Sequence, residues 1–134
     1  MADSNVKHIR LSLGKAQKDF INILTQRTDL RIGPLVWQSI LYKNTHDINI
    51  SFLNKYLNFI YDKKHGISVS VQKIMTSHND LKNASQNYKK IGYNIGIKGV
   101  VLLYLLNYAC HYLKMDISQY ENFNSQNYGI NNGL

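Results

Sequence analysis

Arg10 stands between Ile9 and Leu11, and Gln72 closes a second run in which apolar and polar residues alternate. These two side chains carry the most pointed hydrogen-bonding chemistry in the chain. A guanidinium matches the two major-groove acceptors of guanine, and a carboxamide matches the acceptor and donor of adenine. Each belongs to a polar series of period two: His8, Arg10 and Ser12 in the first run, Ser68, Ser70 and Gln72 in the second. Successive side chains of a strand point to opposite faces. If Val6 or Ile9, with Leu11 and Leu13, face a core beside Ile67, Val69 and Val71, then all six polar residues face outward. The chemistry on offer is recognition of base edges by contact, with serine permissive. The plain alternative is a solvated strand face with no target.

No other constellation competes with this one. His8, His46, His65, His78 and His111 are scattered without ligand spacing, and Cys110 is the only cysteine, so no metal site is expected. Cys110 and His111 are adjacent, and adjacent helical residues point apart, which argues against a thiol–imidazole pair. Cys110 reads as a small core residue. Gly92 and Gly96 lie outside any apolar twenty-residue segment, and Gly96 to Gly99 lacks the Gly-Lys-Ser/Thr ending of a phosphate loop. Tyr56, Tyr88, Tyr104, Tyr108 and Tyr112 fall on apolar helix faces and read as core. No cofactor is expected, and an enzyme is disfavoured for want of convergent acid and base groups.

Charge narrows the partner. The 134 residues carry 16 Lys+Arg against 8 Asp+Glu, a formal balance of +8, and Glu121 is the only glutamate. Such a surplus favours a polyanion. The longest apolar run, Val100 to Leu106, is far short of the ~20 residues of a membrane span. The start of the chain is polar, without the apolar run of a signal peptide, and a lone cysteine suits a reducing compartment. A cytoplasmic protein with no membrane partner is therefore expected. Sixteen asparagines and ten tyrosines suit AT-rich coding DNA, as in a low-GC host, plasmid or virus.

These side chains need elements to hold them. Alternation from His8 to Leu13 predicts a strand ended by Gly14. Lys15 to Arg27 predicts a helix with Ala16, Phe20, Ile23 and Leu24 on one side. A break at 28–33 precedes a helix opened by Pro34, whose missing N–H costs nothing in a first turn. Ile50 to Lys64 predicts a third helix. Residues 67–72 predict a second strand. Ser77 and Asp80 have capping-box-like spacing and predict the start of a helix carrying Leu81, Ala84, Tyr88 and Ile91. After a glycine-punctuated break at 92–99, Val100 to Leu113 predicts a very apolar helix. The segment after Ser118 is rich in Asn, Gln, Ser and Gly and predicts a flexible tail.

The order strand–helix–helix thus occurs twice. Laid together at Gly33 and Gly99, the second helices match in glycine, in most apolar positions, and in Tyr42 with Tyr108. From Leu13 to Gly33 is 20 residues and from Val71 to Gly99 is 28. The excess is assigned to a strand-to-helix link at Gln72 to Thr76 and a longer break between the helices.

A short alternating strand followed by two helices in a small basic chain resembles the MetJ/Arc ribbon-helix-helix superfamily. Two such units in one chain resemble conjugation accessory proteins of the TraY type and a few tandem viral regulators. The resemblance covers residues 6–44 and 66–113, while the helix at 50–64 falls outside the pattern. It implies a mainly α fold with a short two-stranded antiparallel β-ribbon, in which two modules form a pseudo-dimer. The segments would be a first module at 6–44, a connecting helix at 45–65, a second module at 66–114 and a flexible tail at 118–134. It also implies major-groove reading by the ribbon, with a phosphate held at the start of each second helix. Those places are Arg31 with Gly33 and Lys98 with Gly99. Lys7, Lys15, Lys18 and Lys73, near the strand ends, would add phosphate contacts.

The expected function is site-specific binding of double-stranded DNA, as a transcriptional regulator or as an accessory factor in plasmid transfer. Self-association along DNA or contact with relaxosome proteins would accompany it. The alternative is a helical protein–protein adaptor with incidental charge, favoured if residues 50–64 and 100–113 leave an exposed groove between them.

Overall fold

The computed structural model describes residues 6–62 and 67–124, and for residues 6–10 and 67–78 the backbone alone. The described chain is mainly helical. Strand β1 (Val6–Leu13) leads into α1 (Lys15–Thr28), α2 (Ile32–Thr45) and α3 (Ile50–Ile60). Strand β2 (Ile67–Ile74) leads into α4 (Met75–Lys90) and α5 (Gly96–Asn107). A π-helical turn, Tyr108–Tyr112, and a 3-10 turn, Ser118–Tyr120, follow.

The two strands pair antiparallel over their full length, from Val6 opposite Ile74 to Leu13 opposite Ile67. A strand pair alone cannot cover its apolar face, so its inner side must meet helices. Leu11 and Leu13 are buried while Ser12 between them is exposed, which fixes the inner and outer faces.

Each helix boundary has a local cause. At α1, Gln17 accepts from the Gly14 N–H through Oε1 at 2.9 Å, half of a capping box, and Asp29 closes the helix in the left-handed region at φ 58°. At α3, the Asn49 side chain accepts from the Phe52 N–H at 2.8 Å. Gly96 opens α5 at φ +68°, where a side chain would be strained. Helix α5 is apolar around its whole circumference and is buried from Gly99 to Asn107, as a helix with no polar face must be. Residues of α1, α2, α3 and α4 join it in one core, among them Phe20, Leu24, Leu35, Ile40, Leu53, Phe59 and Leu81.

Several boundaries differ from the sequence reading. Helix α3 ends at Ile60, and residues 63–66 lie outside the described residues. Strand β2 runs on to Ile74 and passes straight into α4 at Met75, so Ser77 and Asp80 lie inside the helix and there is no link at 72–76. Helix α5 begins at Gly96 rather than Val100, because the break needs only residues 91–95. Ile23, assigned to the inner side of α1, is 41% exposed, and Ile21 is buried in its place.

The flexible-tail expectation is corrected for residues 118–124. Tyr120 is buried, with its ring 5.1 Å from that of Phe20 and 4.5 Å from that of Phe59. Phe123 meets Phe59 at 5.4 Å, and the Asn122 N–H donates to the Lys55 carbonyl at 3.0 Å. Two aromatic anchors outweigh a polar composition. Residues 125–134 lie outside the described residues.

Candidate nucleic-acid interface

Cross-strand partners in an antiparallel pair share a face. His8 lies opposite Gln72, Arg10 opposite Ser70, and Ser12 opposite Ser68. All six positions therefore belong to the face on which Ser12 is exposed, turned away from buried Leu11 and Leu13. The side chains of His8, Arg10, Ser68, Ser70 and Gln72 lie outside the described residues, so their placement rests on backbone register.

Val6 and Ile74 occupy that same outer face at one end, and Lys7 opposite Lys73 falls on the inner face at that end. The two lysines thus flank the helical side of the ribbon and do not join the row of candidate base readers. Their side chains also lie outside the described residues.

The candidate phosphate positions separate into two kinds. Arg31 is exposed and is the N-cap of α2, with Gly33 half-buried in the first turn. Pro34 comes next, at the third helical position, where it lacks only an N–H that the first turn leaves unbonded. Lys15 is exposed and pairs with Asp19 one turn on, at 3.2 Å. The Lys18 ammonium donates to the Asn22 side chain at 3.2 Å.

The start of α5 is built otherwise. The Lys98 ammonium donates to the Ser12 carbonyl at 2.8 Å and to the Asp62 carbonyl at 3.4 Å. Gly99 is buried, its N–H donates to the Ile95 carbonyl, and a Cβ there would lie 2.5 Å from the Ile95 Cβ and 3.1 Å from Ile60 Cγ2. A side chain here would collide with Ile95 and crowd Ile60 of α3. Lys98 thus braces the ends of β1 and α3, and Gly99 is a packing position. The sequence cannot distinguish a glycine that admits a ligand from one that admits a helix.

Gln17, which the sequence reading passed over, is fully buried, and its amide donates to the carbonyls of Phe59 and Asp62 at 2.8 Å and of Ile60 at 3.2 Å. The available signal was its place three residues after Gly14.

Other polar groups among the described residues sit within the helical part of the fold. His111 Nδ1 lies 2.9 Å from the Asn107 side-chain oxygen. Burial pushes the Tyr56 hydroxyl up to about 12, helped by Glu121. Burial raises Tyr104 and Tyr88 as well. Tyr112 departs from its expected core position and is 59% exposed. Among the described residues no group of three His, Cys, Asp or Glu side chains could hold a metal ion, and no helix is long and apolar enough to cross a membrane.

No family model, curated protein or solved structure matches the chain.

Proposed function

We propose that the chain is a sequence-specific double-stranded-DNA-binding protein that reads the major groove with the outer face of its strand pair. One observation carries this reading. The register sets His8, Arg10 and Ser12 opposite Gln72, Ser70 and Ser68 on the face turned away from the core. A two-stranded ribbon fits the major groove, and Arg and Gln on its outer face reach base edges. The balance of +8 supplies the attraction to the backbone.

We further propose that β1–α1–α2 and β2–α4–α5 are two ribbon-helix-helix modules forming a pseudo-dimer. Spacing supports it: Lys15 and Met75, which open the first helices, are sixty residues apart, as are Arg10 and its cross-strand partner Ser70. A two-fold axis through that pair keeps each face on its own side. Tyr42 and Tyr108, matched when the second helices are laid on their glycines, meet edge to face at 5.9 Å. Residues beside a two-fold axis touch their own equivalents in this way. The two outer faces differ in sequence, so the preferred site is asymmetric.

In this reading Arg31 and Gly33 hold a phosphate at the start of α2, and Lys7, Lys15 and Lys73 add contacts at the flanks. The adaptor alternative would be favoured by an exposed groove between residues 50–64 and 100–113; of the latter, Val100 to Asn107 are buried. Repression of transcription and assembly of a plasmid-transfer complex both need only occupancy of a site, and the neighbouring genes distinguish them.

The test is selection of bound duplexes from a random pool. Enrichment of one short, non-palindromic motif is the expected result. A pool that stays random after repeated rounds rejects base reading.

A further inference from the structure

The C-terminal ends of α2 and α5 carry a second surface, made of rings. Tyr42 stacks on His46, with 4.1 Å between ring centroids and 5° between planes. It meets Tyr112 edge-on at 5.6 Å. Tyr108 and Tyr112, brought together by the π-helical turn, stack at 4.9 Å and 13°. His111, on the same turn, lies 5.5 Å from Phe52 of α3. Tyr108 is buried, Tyr112 is 59% exposed, and His46 and His111 are exposed. One face of Tyr112 is covered by Tyr108 and one face of His46 by Tyr42. Exposure therefore falls on the opposite faces and the edges. These are flat rings held from behind, with little rotamer freedom left to lose on contact.

Two basic residues belong to or reach the chain segment that follows Tyr112. Arg27 of α1 donates through Nη2 to the carbonyl of Leu113, the residue after Tyr112, at 3.3 Å. Lys114 follows in the left-handed conformation at φ 57° and is exposed. Asp116, the acid nearest to Lys114 in sequence, is turned into its own loop, where it accepts from the Ser118 N–H at 2.9 Å.

We infer that this surface binds single-stranded nucleic acid, with Tyr112 as the stacking platform for an unpaired base and Arg27 and Lys114 on the adjoining phosphates. Every base has a π-face, and a basic rim beside aromatic rings is the chemistry that holds single strands with little sequence preference. A duplex keeps its base faces covered and does not fit. A second copy of the chain fits worse still, because a two-fold contact here would set Arg27 and Lys114 against their own counterparts. The inference does not depend on what the strand pair reads.

The test uses the full chain and a short labelled oligothymidylate, followed by fluorescence anisotropy. Tyr112→Ala is expected to weaken binding about tenfold, Tyr112→Phe to leave it nearly unchanged, and Arg27→Ala to weaken it and lessen its salt dependence. Excess unlabelled duplex is expected to leave the oligothymidylate bound. The exposure of Tyr112 makes its loss harmless to folding, which a thermal melt verifies. Parent-like binding by Tyr112→Ala overturns the inference, and so does complete displacement by duplex. A parent that self-associates in sedimentation, and a Tyr112→Ala variant that does not, overturns it in favour of a second copy.

Discussion

Gln17 and Lys98 donate to the same carbonyl, that of Asp62, at 2.8 and 3.4 Å. One side chain comes from the first turn of α1 and the other from the first turn of α5. Gln17 reaches two more carbonyls at the end of α3, and Lys98 reaches the end of β1 at Ser12. The last carbonyls of a helix have no partner within it and carry partial negative charge. An amide and an ammonium are therefore well suited to close α3, and they tie it to both strand–helix–helix units.

Gln17→Leu keeps the volume and removes the donors. The Ile60 carbonyl and the Gly14 N–H then lose this partner in a buried setting, while the Phe59 carbonyl keeps its bond from the Asp62 N–H. We expect a loss of about 3 kcal/mol, read as a lower urea midpoint with an unchanged slope. A midpoint equal to that of the parent shows that water replaces the amide.

Lys98→Met separates bracing from anion binding. It should lower stability by about 1–2 kcal/mol and leave the salt dependence of duplex binding as it was. A slope reduced by about one unit, the signature of a lost phosphate contact, returns Lys98 to the DNA interface.

Arg10→Ala and Arg31→Ala should differ in kind. Arg10 belongs to the outer face of the strand pair, opposite Ser70, and its loss should cost ~1–3 kcal/mol at one base position while relaxing preference there. Arg31 is the exposed N-cap of α2, and its loss should weaken selected and scrambled duplexes alike. For the parent, about six phosphate contacts predict a fall of ~10³ in affinity between about 50 and 200 mM salt. Equal loss on both duplexes for Arg10→Ala removes it from base reading.

Alkaline pH should unfold the protein early. Burial raises Tyr56 and Tyr120 from 10.0 to about 12. The unfolded chain therefore loses these protons first. Their contribution is constant below pH 10 and is lost as pH rises toward 12. Melting temperature should fall over that interval, and Tyr120→Phe should make the fall shallower. A flat profile to pH 12 contradicts the burial of these hydroxyls.

What could be read in advance followed periodicity. Residues 8–13 and 67–72 alternate as two-faced strands do, with Leu11 and Leu13 buried around exposed Ser12, and the runs of α1 and α5 repeat because a helix buries a stripe or its whole surface. Such patterns need only neighbours along the chain. The burial of Tyr120 between Phe20 and Phe59, the bonds from Gln17 to the end of α3, and the loss of Gly99 to helix packing depend on residues far apart in sequence. No local period encodes them. The aromatic surface was missed for a related reason: Tyr112 sits at helical spacing from buried Tyr108, yet it is exposed at the end of the π-helical turn.

The two strands are joined through residues 14–66, so the sheet closes across three helices of intervening chain. Long-range pairing of this kind gains nothing until that chain is ordered, which makes the ribbon a late event in folding. It also makes its assembly unimolecular. A pair of separate subunits must find each other before a groove-reading face exists, and at low abundance they fall apart. On the proposed reading each copy of the chain carries both strands of the ribbon, so the face needs no second copy to complete it.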